Sequence, residues 1–276
     1  MDRKEIEQKA RKLRLDAVTM VYEGKDGHPG PALSIADIVA TLYFDIMRLD
    51  PKNPDWEDRD RFILSKGHAC PVYYAALAEK RYFGGQVEHF NLRALGSTFQ
   101  GHPVMGRTPG VDMTSGSLGN GIAIGAGMAI AGKYRKKDFR TFVIAGDGEL
   151  QEGVCWEGIA LAAAHRLDNL YVFVDNNGWQ SGGTLAEICG TEPDIARRFE
   201  AFSWDVRETD GHDIDEIKNS IQGAGRKKGR PHVIVCKTIK GKGVSFMEND
   251  NSWHKRVPTE EELKTAREEL AGGCDD

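Results

Sequence analysis

The feature that most constrains this chain is its alternation of short apolar or β-branched runs with longer stretches of helical period. The runs are Arg61–Ser65, Thr141–Ala145, Leu170–Val174, Trp204–Glu208 and His232–Cys236. A run that is apolar on both faces belongs inside a sheet covered by helices on each side. Helical periodicity marks Ile6–Glu23, Ser34–Met47, Ala69–Tyr82, Leu118–Tyr134, Glu152–His165, Ile214–Ala224 and Thr259–Leu270. Strands alternating with helices predict an α/β fold: a parallel sheet with right-handed crossovers and helices on both faces. Ligands of such sheets bind beyond the carboxyl ends of the strands.

No repeat, low-complexity stretch or Pro/Gly/Ser-rich linker divides the 276 residues, so one domain spanning 1–276 is expected. A net charge of −5 and a charged fraction of 29% argue against a polyanionic partner, and no nucleic-acid role is expected. The N-terminus carries no apolar secretory stretch, and the run from Gly121 to Gly132 is short of the roughly 20 residues a membrane span needs. No membrane partner is expected, and the cytoplasm is the expected compartment. The five cysteines (Cys70, Cys155, Cys189, Cys236, Cys274) form no Cys-x-x-Cys pair, so neither disulfides nor structural zinc are expected. Cys155 lies near the motif described next but reads as a small buried hydrophobe.

The strongest chemical signal follows the strand Thr141–Ala145, where the chain reads Gly146-Asp147-Gly148-Glu149 and enters a helix near Gln151. The next strand ends in Asp175-Asn176-Asn177. Neighbouring parallel strands finish at one edge, so Asp147 and Asn177 can converge. Their hard oxygens suit Mg²⁺ or Ca²⁺ rather than zinc. Flanking glycines admit a diphosphate close to the backbone, and the helix N-terminus favours negative charge. Each segment alone is an ordinary turn; it is their pairing after consecutive strands that points to a site. A dinucleotide fingerprint at Gly119-x-Gly121 fails, because the full Gly-x-Gly-x-x-Gly spacing is absent and no strand immediately precedes it.

A Gly-Asp-Gly followed by such an Asn resembles the signature of thiamine-diphosphate enzymes. That resemblance implies metal ligation by Asp147, Asn177 and the main-chain carbonyl of Trp179. It narrows to transketolases through Gly27-His28-Pro29-Gly30, Ser65-Lys66-Gly67-His68, Gly101-His102-Pro103 and Thr114-Ser115-Gly116-Ser117-Leu118-Gly119-Asn120-Gly121, in family order. It implies cofactor contacts at His68, Gly116, Leu118, Gly146, Asp147, Gly148, Glu149, Asn177 and His254, and catalytic roles for His28, His102, His254 and Glu152. In the same family, glutamates matching Glu152 and Glu157 face the second domain's catalytic glutamate. Neutral loop imidazoles at a sugar site can donate and accept hydrogen bonds to hydroxyls and can move protons near pH 7. The run Lys237–Lys242 reads locally as a solvated loop. Asn120 departs from the family, which usually carries Gln there.

By this resemblance, the pyrimidine-binding and C-terminal domains of full-length transketolases are expected to be absent from this sequence. The resemblance therefore implies the N-terminal subunit of a split transketolase. It would use thiamine diphosphate and Mg²⁺ to move a two-carbon ketol unit between sugars, with a separate C-terminal subunit in an α2β2 assembly. A non-catalytic thiamine-diphosphate binder and a 1-deoxyxylulose-phosphate-synthase-like enzyme are the alternatives. Retention of the four histidines weighs against the first, and Gly-His-Pro-Gly favours ketose transfer over the second.

Overall fold

The computed structural model describes residues 1–84, 90–191 and 193–272; Cys274 and His89, to which no role was assigned, lie outside them. Five parallel strands form the main sheet: β1 (Arg61–Leu64), β2 (Thr141–Gly146), β3 (Leu170–Asn176), β6 (Asp205–Asp210) and β7 (His232–Lys237). Their order is β1-β2-β3-β7-β6. Side chains alternate across each strand, and both sets are buried. Phe142, Ile144 and Phe173 enter one core cluster, while Val143, Ala145, Val172 and Val174 enter the other. The first core is closed by α1 (Arg3–Gly24), α3 (Ala36–Thr41), α4 (Cys70–Glu79), α9 (Ile214–Ala224) and α10 (Glu260–Ala271). Helices α5 (Asn120–Tyr134), α6 (Gly153–Ala164) and α8 (Ile195–Ala201) close the second. The edge strand β6 departs from expectation, with several positions half-buried or exposed rather than apolar on both faces.

Local chemistry sets the helix ends. Asp2 and Glu5 form a capping box on α1, and Thr259 with Glu262 does the same for α10. The stretch expected as one helix from Ser34 to Met47 is divided. The short α2 (Pro29–Leu33) ends before Ser34, α3 follows, and a π-helical turn occupies Leu42–Ile46. Ser34 lies between the helices because its hydroxyl donates to Asp175 on the sheet, at 2.7 Å. The hairpin β4–β5 (Trp179–Gln180, Gly183–Thr184) and α7 (Leu185–Cys189) complete the fold. Both are too short to show a period in the sequence.

Candidate active site

Strands β2 and β3 pair in a register that sets Gly146 opposite Asp175, so the loops that follow leave the sheet side by side. Asp147 Oδ2 accepts from the backbone N–H of Gly178 at 2.6 Å, which brings the segment next to Asn177 against Asp147. Asn177 Oδ1 accepts from the N–H of Trp179 at 2.9 Å. All three residues line one cavity of about 490 Å³. The predicted convergence at a shared rim is therefore present. The helix expected near Gln151 begins at Gly153, and a 3₁₀ turn, Gly148–Gln151, fills the space between it and Asp147. A Cβ on Gly148 would meet Gln180 Cβ at 2.8 Å, so glycine is needed there for loop packing. Gly146 meets no such obstacle.

Beneath the rim lies a closed polar cluster. Asp175 is fully buried and accepts from Ser34 (2.7 Å), Asn177 Nδ2 (2.9 Å), Lys66 and Thr238. Burial alone would raise its pKa, but the Lys66 ammonium and these hydrogen bonds outweigh burial and hold it below the usual value. Asp147 has the opposite fate. Burial, then the Asp175 charge, push its carboxyl up to about 7. Glu149 also lines the cavity, but its carboxylate accepts from Ser65 Oγ, Gly119 N (2.7 Å) and Gly146 N (3.0 Å). It clamps three loops together.

The expected sugar-facing histidines gather at the same cavity. His28, His68 and His254 stand with ring centroids 5.2 to 5.4 Å apart, and His102 joins the lining. Gly116 (φ 153°) and Leu118 line it too, and a Cβ on Gly116 would come within 3.9 Å of His102. One expectation is corrected here: these imidazoles are not poised to titrate near pH 7. Burial, then the Arg93 charge, lower His28 to about 4. Burial and Lys240 lower His254 to about 3. Burial and Lys66 hold His68 well below its usual value, and His102 is lowered by burial and Arg93. At neutral pH they are uncharged hydrogen-bonding groups. Glu152 is exposed at the cavity mouth at the head of α6, whereas Glu157 lies exposed farther along the helix, outside the lining.

Sequence reasoning missed the lysines. Lys66 and Lys240 both line the cavity and are 3% and 1% exposed. The solvated-loop reading of Lys237–Lys242 fails at Lys240, which turns inward to Asn251 Oδ1 (2.7 Å) and His254 Nδ1 (3.2 Å). His212, which belongs to no sequence motif, accepts from the N–H of Ile239 at 2.9 Å and faces Asp37 at 2.7 Å, holding the strand-to-Lys240 turn in place. Gln180 also lines the cavity and keeps a buried, unpartnered Nε2.

Residues 3–275 match the family described as transketolase, thiamine diphosphate binding domain. The chain belongs to this transketolase family. It is 38% identical over 266 residues to an apulose-4-phosphate transketolase subunit of Phocaeicola vulgatus, covering 96% of this chain and 94% of that protein. Its identity is 43% over 260 residues to the 6-deoxy-6-sulfo-D-fructose transketolase subunit SqwG of a Clostridium species, covering 94% and 93%. The fold superposes on the transketolase of Campylobacter jejuni with a TM-score of 0.91 at 32% identity, covering 98% of this chain but 43% of that one. This transketolase-family chain thus spans nearly the whole length of the subunit relatives but less than half of the longer protein.

Proposed function

We propose that this chain is the thiamine-diphosphate-holding subunit of a two-chain transketolase, transferring a two-carbon ketol unit from a ketose to an aldose. The observation that carries the reading is one cavity that gathers charged groups and neutral imidazoles. Asp147, Asn177, Lys66 and Lys240 line it together with His28, His68, His102 and His254, and Lys240 reaches His254 Nδ1 at 3.2 Å.

The residues fit the cofactor. A carboxylate that burial, and then a second carboxylate, hold protonation-prone is a site that a cation would relieve, and the donors would be a carboxylate, an amide oxygen and a main-chain carbonyl. Asp147, Asn177 and the Trp179 carbonyl would hold Mg²⁺ or Ca²⁺, and Lys66 and Lys240 would offset diphosphate charge. Thiamine diphosphate supplies a carbon nucleophile and an electron sink. The chain's own residues supply the rest. Neutral imidazoles donate and accept hydrogen bonds at the sugar's oxygens, and the Asp175 cluster keeps the strand-end loops rigid around them.

The partner subunit belongs to the same reading, as does an α2β2 assembly in the cytoplasm. Supporting it are near full-length matches to proteins named as transketolase subunits, and Glu152 exposed at the cavity mouth. Helices α5 and α6 also leave Ile124 (39% exposed) and Leu161 (41% exposed) open to solvent. Among the described residues no helix is long and apolar enough to cross a membrane. The two subunit relatives are named for a phosphorylated and a sulfonated ketose, so the proposed donor class is a ketose with an anionic group. Calorimetry of the chain with thiamine diphosphate and Mg²⁺ tests the site, and coupled ketol-transfer assays with and without a separate C-terminal transketolase subunit test the division of labour. Absence of binding sinks the first; robust transfer by the chain alone sinks the second.

A further inference from the structure

We infer that Asn251 is a positioning residue for His254: it holds the Lys240 ammonium against His254 Nδ1 and so fixes the imidazole with its proton on Nε2. Lys240 Nζ lies 2.7 Å from Asn251 Oδ1 and 3.2 Å from His254 Nδ1. An ammonium has only protons to give, so the ring nitrogen facing it must be the acceptor. A neutral imidazole has one donor and one acceptor, which leaves the hydrogen on Nε2. The ring is neutral, because burial and the lysine's own charge keep its pKa near 3.

The orientation of the Asn251 amide is settled by its second bond. Its Nδ2 donates to the carbonyl of Ser181 at 3.2 Å, and a carbonyl can only accept, so Oδ1 must face the ammonium. One side chain thus ties the segment carrying Lys240 and His254 to the β4–β5 hairpin that carries Trp179 and Gln180. Asn251 and His254 are the first and last residues of one 3₁₀ turn, in which such positions lie one above the other. Asp250 caps that turn through the N–H of Ser252 at 2.9 Å, and Trp253, 1% exposed, anchors it in the core. The outcome is a donor at His254 Nε2, suited to an oxygen acceptor such as a ketose carbonyl or hydroxyl. That last role rests on the functional reading above; the tautomer does not.

Nitrogen-15 NMR of the full chain carrying labelled histidine, with the His254 signals assigned by their loss in His254→Gln, reads the tautomer directly. Wild type is expected to show an unprotonated Nδ1 and a protonated Nε2. Asn251→Ala is expected to move both signals toward a tautomer mixture, whereas Asn251→Asp, which keeps the acceptor, retains the wild-type pattern. Thermal melts of each variant establish that it is folded. In ketol transfer with the partner subunit, Asn251→Ala is expected to raise the ketose KM roughly tenfold, the effect of one lost hydrogen bond to substrate, with kcat less affected and Asn251→Asp largely restored. A protonated Nδ1 in wild type, or His254 signals unmoved by Asn251→Ala, overturns the assignment; a moved tautomer with unchanged KM overturns its role toward substrate. Thiamine diphosphate binding on the same samples reports on the functional reading separately: a chain that fails to bind cofactor yet shows the Nε2–H pattern sinks that reading and leaves the tautomer assignment standing.

Discussion

Beneath the cavity rim the buried Asp175 is fully partnered, whereas among the histidines lining the cavity a buried polar atom stands open. Asp175 is surrounded by Lys66, Ser34, Asn177 and Thr238, and its pKa is held down. Across the same cavity, His28 Nδ1 is buried with no partner, and the rings around it are neutral. The difference separates two jobs. A network complete without ligand fixes geometry, and breaking it costs stability. Groups left unsatisfied in the fold reserve their hydrogen bonds for something that arrives later, and changing them costs binding.

The largest effect expected from breaking this contrast is at Lys66. In Lys66→Met the shape is nearly kept, but Asp175 loses its counter-charge while fully buried. Removing one partner of such a pair destabilises by about 3–5 kcal/mol. Urea unfolding should show the midpoint falling at unchanged slope, and a variant as stable as wild type would show that Asp175 does not depend on Lys66.

Asp147→Asn sharpens the comparison from the ligand's side. It removes the charge that Asp175 disfavours, so the chain without metal should unfold at the same temperature or higher. Cofactor binding with Mg²⁺ should weaken by about a hundredfold or more, because altering even the outer partners of a metal ligand costs ten- to a hundredfold. Calorimetric titration and a thermal melt of one preparation read both numbers. Equal losses in stability and affinity would mean that Asp147 belongs with the structural network and not with the ligand.

Much of this contrast was legible in the sequence, and the remainder was hidden for a physical reason. Strands β2 and β3 announce themselves because both faces are buried, and Asp147 and Asn177 follow them at a shared edge. The clustering of His28, His68, His102 and His254 came through the family resemblance. Lys66 did not stand out, because a lysine's neighbours in sequence say nothing about a carboxylate 109 positions away, and Lys240 did not because its run reads locally as solvated although it turns inward to Asn251 and His254. The break at Ser34 was missed for the same reason. Its hydroxyl bonds Asp175 across 141 positions, and this long-range bond divides a pattern that reads locally as one helix.

The smallest expected effect is the share of the pH dependence that His28 contributes. His28 is held at about 4 in the fold, below its ordinary 6.5 in an unfolded chain. Above pH 6.5 both states are neutral and the group contributes nothing to the pH slope. As pH falls from 6.5 toward 4 the unfolded chain takes up the proton first, so the folded state loses stability across that window and the loss levels off below it. Replacing the ring by an amide removes the proton and with it this contribution. His28→Asn should therefore flatten the fall in stability between about pH 6.5 and 4 relative to wild type, with little change at pH 7.5. Unfolding midpoints measured across that range for both proteins provide the check. If the two fall in parallel, the imidazole at position 28 titrates as it would in water, and His28 is not desolvated as its burial implies.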